Sequence, residues 1–279
     1  MKKIGFIGTG WVGNAYANDF EQRGYDVVRY SLESRYVRNK HYIKECDIVF
    51  IAVPTPTNDK GNDISILRSV LPLVGNDKIA VIKSTIQPGT TVVLSEEFPD
   101  IYVVHSPEFL REKTAQDDAS FPERNIVGIP LVNSYYVDVA KQVIEVLPQA
   151  PYYLITQSVN AELIKYAGNA FLLMKVVFSN MLYDLTQACD GEWDEVHAAW
   201  INDARIGGSH TNPISDGGRG AAGDCLLKDF EVFGKMYKNM VDDKVGLEML
   251  TWLKEKNVDL LLGSGKDIEL LKKVYPQAF

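Results

Sequence analysis

The stretch KKIGFIGTGWVGNAYANDF, residues 2–20, constrains this chain more than any other. An apolar run, charged only at its start, breaks on Gly8, Gly10 and Gly13 in G-x-G-x-x-G spacing. A helical pattern over residues 12–23 follows directly. Each glycine has its own physical task. Gly8 permits a tight turn, Gly10 lets a pyrophosphate approach the backbone, and Gly13 lets the helix pack closely on the sheet. The positive end of that helix then faces the phosphates. Gly8, Gly10, Trp11, Val12 and Gly13 are therefore the candidate cradle for a dinucleotide.

The rest of the first half fits such a cradle. Short Val/Ile-rich runs at 26–30, 47–53, 78–84, 101–106, 125–129 and 151–155 read as strands buried on both faces of a parallel sheet. Helical patterns at 64–74 and 133–147 lie between some of them. The expectation is an α/β fold: a Rossmann-type doubly wound sheet, residues 1–155. Only 16 residues separate the second and third strands, so that crossover must be brief. From about residue 156 the pattern changes. Residues 159–189 form one long helical stretch with apolar residues on most sides, which needs other helices around it, including some from a second subunit. Further helical patterns follow at 192–201, 226–240, 244–256 and 265–274, with a loop at about 203–224. Residues 156–279 thus read as an all-helical domain built on a long central helix.

Bulk properties narrow the function. A formal net charge of −8 argues against nucleic acid as a partner. It still allows an anionic substrate, which needs only a few local cations and backbone N–H groups. Cys46, Cys189 and Cys225 are too far apart for a zinc site or a disulfide framework, so no metal is expected. No apolar run is long enough for a signal peptide or a membrane span. The reading is a cytoplasmic protein with no membrane partner.

At the end of the second strand an acid normally bonds the adenosine ribose. Here Ser31 holds that point, with Glu33 beyond it and Arg29, Arg35 and Arg38 nearby. Glu33 can do the acid's work, which favours NAD. Alternatively, the arginines can accept a 2′-phosphate, which favours NADP. Both stay open. Further on, Glu108 and Glu112 are four residues apart, one turn if that segment is helical. Lys165 and Asn169 have the same spacing on the long helix, with Glu162 one turn before Lys165. An ion pair between Glu162 and Lys165 on a wet face is the plain alternative to a functional role.

VPTPTNDKGNDIS (53–65), KSTIQPGTT (83–91), HSPEFLREKTAQDD (105–118), FPERNIVG (121–128), AELIKYAGNAF (161–171), RIG (205–207) and GGRGAAGDCLLKD (217–229) occur in order. The series closely resembles the UDP-glucose/GDP-mannose dehydrogenase family over nearly the whole chain. The resemblance implies oxidation of a nucleotide-sugar C6 alcohol to a carboxylate with two NAD. It implies that Val53, Pro54, Thr55, Ser84, Thr85 and Glu112 approach the cofactor. Glu108 would activate water or shape the site for thioester hydrolysis. Lys165 and Asn169 would stabilise and orient developing oxyanions. Asp229, through water, or Lys165 would take the alcohol proton, and Cys225 would be the nucleophile. Gly223, Lys228 and Glu112 would line the substrate, and Arg205 would reach a neighbouring subunit's site in a homodimer. Cys46 and Cys189 read as structural.

Two departures from the family pattern stand out. The chain ends about 50 residues past Cys225, so a short form lacking the C-terminal nucleotide-sugar-binding domain is expected. The cysteine loop carries Gly217, Ala222 and Asp224 where the family has Pro, Gly and Ser, and Asp224 would raise the thiol pKa. Two alternatives stand beside the two-step enzyme. One is a β-hydroxyacid-type dehydrogenase, which shares the Lys-x-x-x-Asn pair and has no use for Cys225. The other is a non-catalytic dinucleotide-binding protein.

Overall fold

Four-residue runs of Ile, Val and Phe make the centre of the first half of the molecule. The computed structural model describes residues 1–58 and 61–275. They fall into two units, one built from residues 1–58 and 62–165, the other from Gly61 and residue 166 onward.

The strands of the main sheet, in the first unit, are β1 (Ile4–Ile7), β2 (Val27–Tyr30), β3 (Ile48–Ile51), β4 (Ile79–Ile82), β5 (Tyr102–His105), β6 (Arg124–Ile129) and β7 (Tyr152–Gln157). They form one sheet in the order β2-β1-β3-β4-β5-β6-β7. The first five are parallel, in register Ile4 with Val27 and Ile48, Ile48 with Ile79, and Ile79 with Tyr102. The sheet is parallel-dominated as expected, except that β6 runs antiparallel to β5 through His105 and Gly128 and carries β7 parallel to itself. Strand direction leaves no mark on a pattern of apolar residues, so RNIVGI alone does not reveal it.

Side chains alternate across the sheet. Ile4, Phe6, Phe50, Val81 and Val104 point to one face, where they meet α1 (Trp11–Gln22) and α5 (Ser134–Val146). Phe6 stacks on Phe50 at 5.2 Å and meets Phe20 edge-on at 5.5 Å. Ile7, Val49, Ile51, Ala80, Ile82 and Val103 point to the other face, against Leu67 of α2 (Ser65–Val70) and Leu94 of α3 (Thr90–Glu97). The brief crossover between β2 and β3 is a 3-10 run, Val37–Glu45. The chain therefore winds outward to β2 and returns across β1 to β3. The switch point of the topology lies between β1 and β3, the place where such sheets bind ligands.

Two helices escape the periodic pattern. α3 opens TTVV, four β-branched residues with low helix propensity. α4 (Ala115–Ser120) is only six residues long. The long helix α6 (Ser158–Ala188) begins directly after β7. Its first turn lies against Gly128 of β6. A Cβ there would come within 2.7 Å of Ser158 Cα and Ala161 Cβ, so only glycine admits this approach.

The second unit takes the later turns of α6 with α7 (Trp193–Ile201), α8 (Asp224–Met240), α9 (Lys244–Ser264) and α10 (Ile268–Val274). Ala170, Leu173 and Val177 of α6 pack with Phe230 and Leu250; Leu227, Leu261, Leu271 and Tyr275 form a second cluster. This unit is helical as expected, broken by the loop expected at about 203–224. A short hairpin, β8 (Ile214–Ser215) with β9 (Gly218–Arg219), precedes the cysteine loop.

Candidate active site

Gly8, Thr9 and Gly10 alone connect β1 to α1. Gly8 is left-handed, φ +92°, and a Cβ on it would lie 2.2 Å from the Ala52 carbonyl oxygen. A Cβ on Gly13 would lie 2.0 Å from the Gly8 carbonyl oxygen. Packing alone demands both glycines. Gly10 differs, because no atom of the described residues beyond its chain neighbours lies within 4 Å of its Cβ position. Among the described residues, the N-cap of α1 is Gly10 itself, which offers no side chain to cap the helix. Open space before uncapped helix N–H groups fits a phosphate, and half-buried Trp11 and Val12 open that helix.

The end of β2 resolves which charges face the cradle. Thr9 Oγ1 is hydrogen-bonded to the Glu33 carboxylate and lies 2.7 Å from Ser31 Oγ. Arg35 Nε donates to Glu33 at 3.0 Å. The Thr9 bond, followed by Arg35, holds the Glu33 carboxyl below its usual range. Arg29 is turned the other way and buried, bonded to Asn14, Asn18 and Glu21 of α1. Arg38 is exposed.

Across the switch point, the loops after β3 and β4 are tied together. Ser84 Oγ donates to the Val53 carbonyl at 2.7 Å and accepts the Val53 N–H at 3.0 Å. Thr55 Oγ1 donates to the Thr85 carbonyl at 2.7 Å. Thr55, Ser84 and Thr85 are buried, while Pro54 is exposed. Below them His105 Nε2 lies 3.3 Å from the Ser84 carbonyl oxygen. Burial pushes the His105 imidazole down to about 3, so the ring is neutral.

The loop after β5 carries a buried ion pair. Lys165 Nζ donates to Glu108 Oε1 at 2.7 Å, and Glu108 Oε2 accepts the Leu110 N–H at 2.7 Å. Glu108 and Lys165 are both buried. Glu108 and Glu112 do not share a helical turn: residues 106–111 are irregular, and Glu112 is exposed in a 3-10 turn, Glu112–Thr114. Nor is Glu162 on a wet face with Lys165. It is fully buried and accepts the N–H groups of Gly89 and Thr91.

Lys83 is a member of this cluster that the pattern does not announce. It is a lone cation at the end of a buried strand, and such a group needs partners. Its ammonium lies 4.3 Å over the Tyr16 ring, 3.3 Å from Ser106 Oγ and 3.4 Å from the Pro107 carbonyl oxygen.

In the second unit, Asn169 Nδ2 donates to Asp229 Oδ2 at 2.6 Å, and Lys228 Nζ lies 3.3 Å from Asp229 Oδ1. Cys225 is half-buried in the first turn of α8, which follows Gly223 at φ +85°. The loop before it is firmly held. Asn257 of α9 accepts the Ala221 N–H at 2.7 Å and donates to the Ala221 carbonyl at 2.9 Å. Arg219 bonds Asn180 and pairs with Asp184, both on α6, so it anchors the loop. Asp267 accepts the Gly223 N–H at 3.0 Å. The Arg205 side chain is 87% exposed and paired with Asp203. Cys46 is fully buried, which pushes its thiol up to about 12 and suits a packing role. Cys189 is exposed just past α6, so the expectation that it packs a core is corrected. Among the described residues, no group of three or more His, Cys, Asp or Glu side chains is arranged to hold a metal ion.

A glycine turn opening a helix at the switch point of a largely parallel sheet, followed by helices built on one long helix, defines the Rossmann-type dinucleotide-binding class. Two models of one family match within it: the UDP-glucose/GDP-mannose dehydrogenase family NAD binding domain over residues 35–145, and that family's central domain over 159–258. The chain belongs to the UDP-glucose/GDP-mannose dehydrogenase family. It is 34% identical to a UDP-glucose 6-dehydrogenase of Rhizobium meliloti over 68% of this chain and 46% of that one. Its fold is similar to that of a UDP-glucose dehydrogenase from Pyrobaculum islandicum, with TM-score 0.77, 24% identity, and coverage of 94% of this chain and 72% of that one. It is also similar in fold to a Mycobacterium tuberculosis 3-hydroxyisobutyrate dehydrogenase, with TM-score 0.73, 13% identity and 99% of both chains covered. The chain spans 34% to 46% of the length of the first curated relatives that it matches.

The buried Lys83 makes a prediction about stability. Burial pushes its amine from 10.5 down to about 7, with the Lys165 charge adding to the shift and Glu108 opposing it. Between those values the folded protein has released a proton that the unfolded chain still holds. The contribution of Lys83 to stability therefore rises with pH from about 7 to about 10.5. Lys83→Met keeps the apolar stem and removes the titration. Melting curves should show a higher melting temperature than wild type at pH 6–7 and a flatter rise above pH 7. An unchanged slope would contradict the assignment.

Proposed function

We propose that this chain is an NAD-dependent dehydrogenase that oxidises the C6 alcohol of a nucleotide-sugar to a carboxylate in two steps, through Cys225. The observation that carries the reading is the buried Lys165–Glu108 pair, 2.7 Å long, just beyond the carboxyl end of a strand in the sheet that holds the cradle. Ligands of α/β sheets bind at that end. A charge pair withdrawn from water there is more than a surface contact.

The cradle fits a dinucleotide: Gly10 leaves room for the pyrophosphate, and Glu33 stands where the adenosine ribose hydroxyls would lie. Glu33 carries a negative charge and Arg29 is engaged elsewhere, so NAD is favoured over NADP. When bound, the dinucleotide supplies the hydride acceptor for both oxidations. Asp229, through water, takes the hydroxyl proton in the first, while Lys165, paired with the Glu108 carboxylate, acts as a donor. The Cys225 thiolate then attacks the aldehyde carbon, and the resulting thiohemiacetal loses a hydride to become a thioester. Water, directed by Glu108, attacks the thioester, and the carboxylate leaves as the thiol re-forms. Lys165 and Asn169 supply hydrogen bonds to the oxyanions, worth about 3–4 kcal/mol for a well-placed donor. The positive end of α8 favours an anion in its first turn, where Cys225 stands.

A second reading is one oxidation of a small hydroxy acid. It is favoured by full-length likeness in fold to the 3-hydroxyisobutyrate dehydrogenase. One assay separates the two. The intact protein is offered NAD or NADP with nucleotide-sugars and with small hydroxy acids, as wild type and as Cys225→Ser. The proposal predicts NAD preference, turnover of a nucleotide-sugar only, and loss of acid formation by about 10³-fold or more in the variant. Hydroxy-acid turnover indifferent to Cys225→Ser would replace it with the second reading.

A homodimer is part of the proposal. Phe171, Phe178 and Leu185, spaced by seven on α6, are 60%, 55% and 60% exposed, with Met181 at 51% beside them. An apolar seam of that spacing suits a second copy of the same helix. Light scattering should give twice the 31.2 kDa chain mass. Phe178→Asp should shift it toward one chain. A wild-type monomer at micromolar concentration would contradict the dimer.

A further inference from the structure

The start of α3 is capped from a distance. Its own N-cap, Gly89, is left-handed and offers no side chain. The partner is Glu162 on α6. Its Oε2 accepts the Gly89 N–H at 2.6 Å, and its Oε1 accepts the Thr91 N–H at 2.9 Å and the Thr91 hydroxyl at 2.6 Å. One turn along α6, Lys165 holds Glu108. The first turns of α6 therefore grip two loops, one after β4 and one after β5. Through Ser84 and Thr85, the first of these loops is tied to Val53 and Thr55 after β3.

Glu162 is fully buried, and burial raises its carboxyl pKa although three donors act against the shift. Its charge thus works against folding, and a neutral residue of the same shape would spare that cost. With Glu33 at the adenosine end, the other half of a dinucleotide must cross β1 and lie over the loops after β3 and β4.

We propose that Glu162 is a positioning residue, which fixes the Ser84–Gly89 loop against the helix turn that carries Lys165, so that the nicotinamide half of the cofactor and Lys165 are set by one clamp. The inference rests on the dinucleotide reading above. It assigns Glu162 no contact with substrate or cofactor.

The test compares two ligands on wild type and Glu162→Gln. ADP-ribose reports the half of the site at the cradle, and NADH reports both halves. The variant should melt within about 3 °C of wild type. It should bind ADP-ribose within about twofold of wild type and NADH about tenfold more weakly. Amide exchange should quicken at residues 84–91. Thr91→Val removes one of the three donors and should give a smaller loss for NADH alone. It also provides the comparison should Glu162→Gln fail to fold. NADH affinity within twofold of wild type in the folded variants would overturn the inference. So would ADP-ribose and NADH weakening in parallel, which marks general damage. Wild type that binds neither ligand would overturn the dinucleotide reading itself, and the inference with it.

Discussion

The buried pair of Lys165 and Glu108 is the interaction on which the first unit's carboxyl-end architecture depends. An unpartnered charge at such a depth would cost several kcal/mol, so each residue requires the other. Their meeting requires α6 to start in one place. That place is set by Gly128, whose missing side chain lets Ser158 and Ala161 lie on β6. The reversed direction of β6 and β7 delivers the chain to that point. Sheet topology, one glycine and one ion pair are thus a single constraint.

The two ends of the sheet are built on different principles. At the amino ends, charges remain in water: Lys3 pairs with Glu45 and Lys78 with Asp47 at partly exposed positions, which contribute little to stability. At the carboxyl ends, Lys83, His105, Glu108, Glu162 and Lys165 are all buried within or just beyond a core of Ile, Val and Phe. His105 and Lys83 are both driven toward their neutral forms. A fold gains nothing by collecting such groups, and buried titratable clusters concentrate at sites of chemistry. The cysteine loop is held by hydrogen bonds from elsewhere in its own unit. Asn257 and Asp267 hold its backbone, and Arg219 is anchored to α6.

Much of this was legible in the sequence, for identifiable reasons. The glycine turn declares itself because Gly8 and Gly13, at fixed spacing, answer two steric demands and Gly10 leaves space before the helix. The strands follow from short, nearly continuous Val/Ile runs, and α6 from the helical spacing of its apolar residues. What stayed hidden depends on distant partners. α3 looks unlike a helix because TTVV is poor helix sequence, and its missing cap is 71 residues away on α6. Glu162 and Lys165 look like an ion pair by spacing, yet each reaches to a different loop. Arg29, read as a possible phosphate ligand, faces α1 because side chains alternate along β2. The direction of β6 and the burial of Lys83 are likewise set by tertiary packing.

The central claim is that Cys225 makes this chain oxidise its substrate twice. The measurement that tests it most directly is the number of NADH formed for each nucleotide-sugar consumed, counted to completion on the intact protein. The account predicts two NADH and a carboxylate product. One NADH with release of an aldehyde or ketone would contradict it.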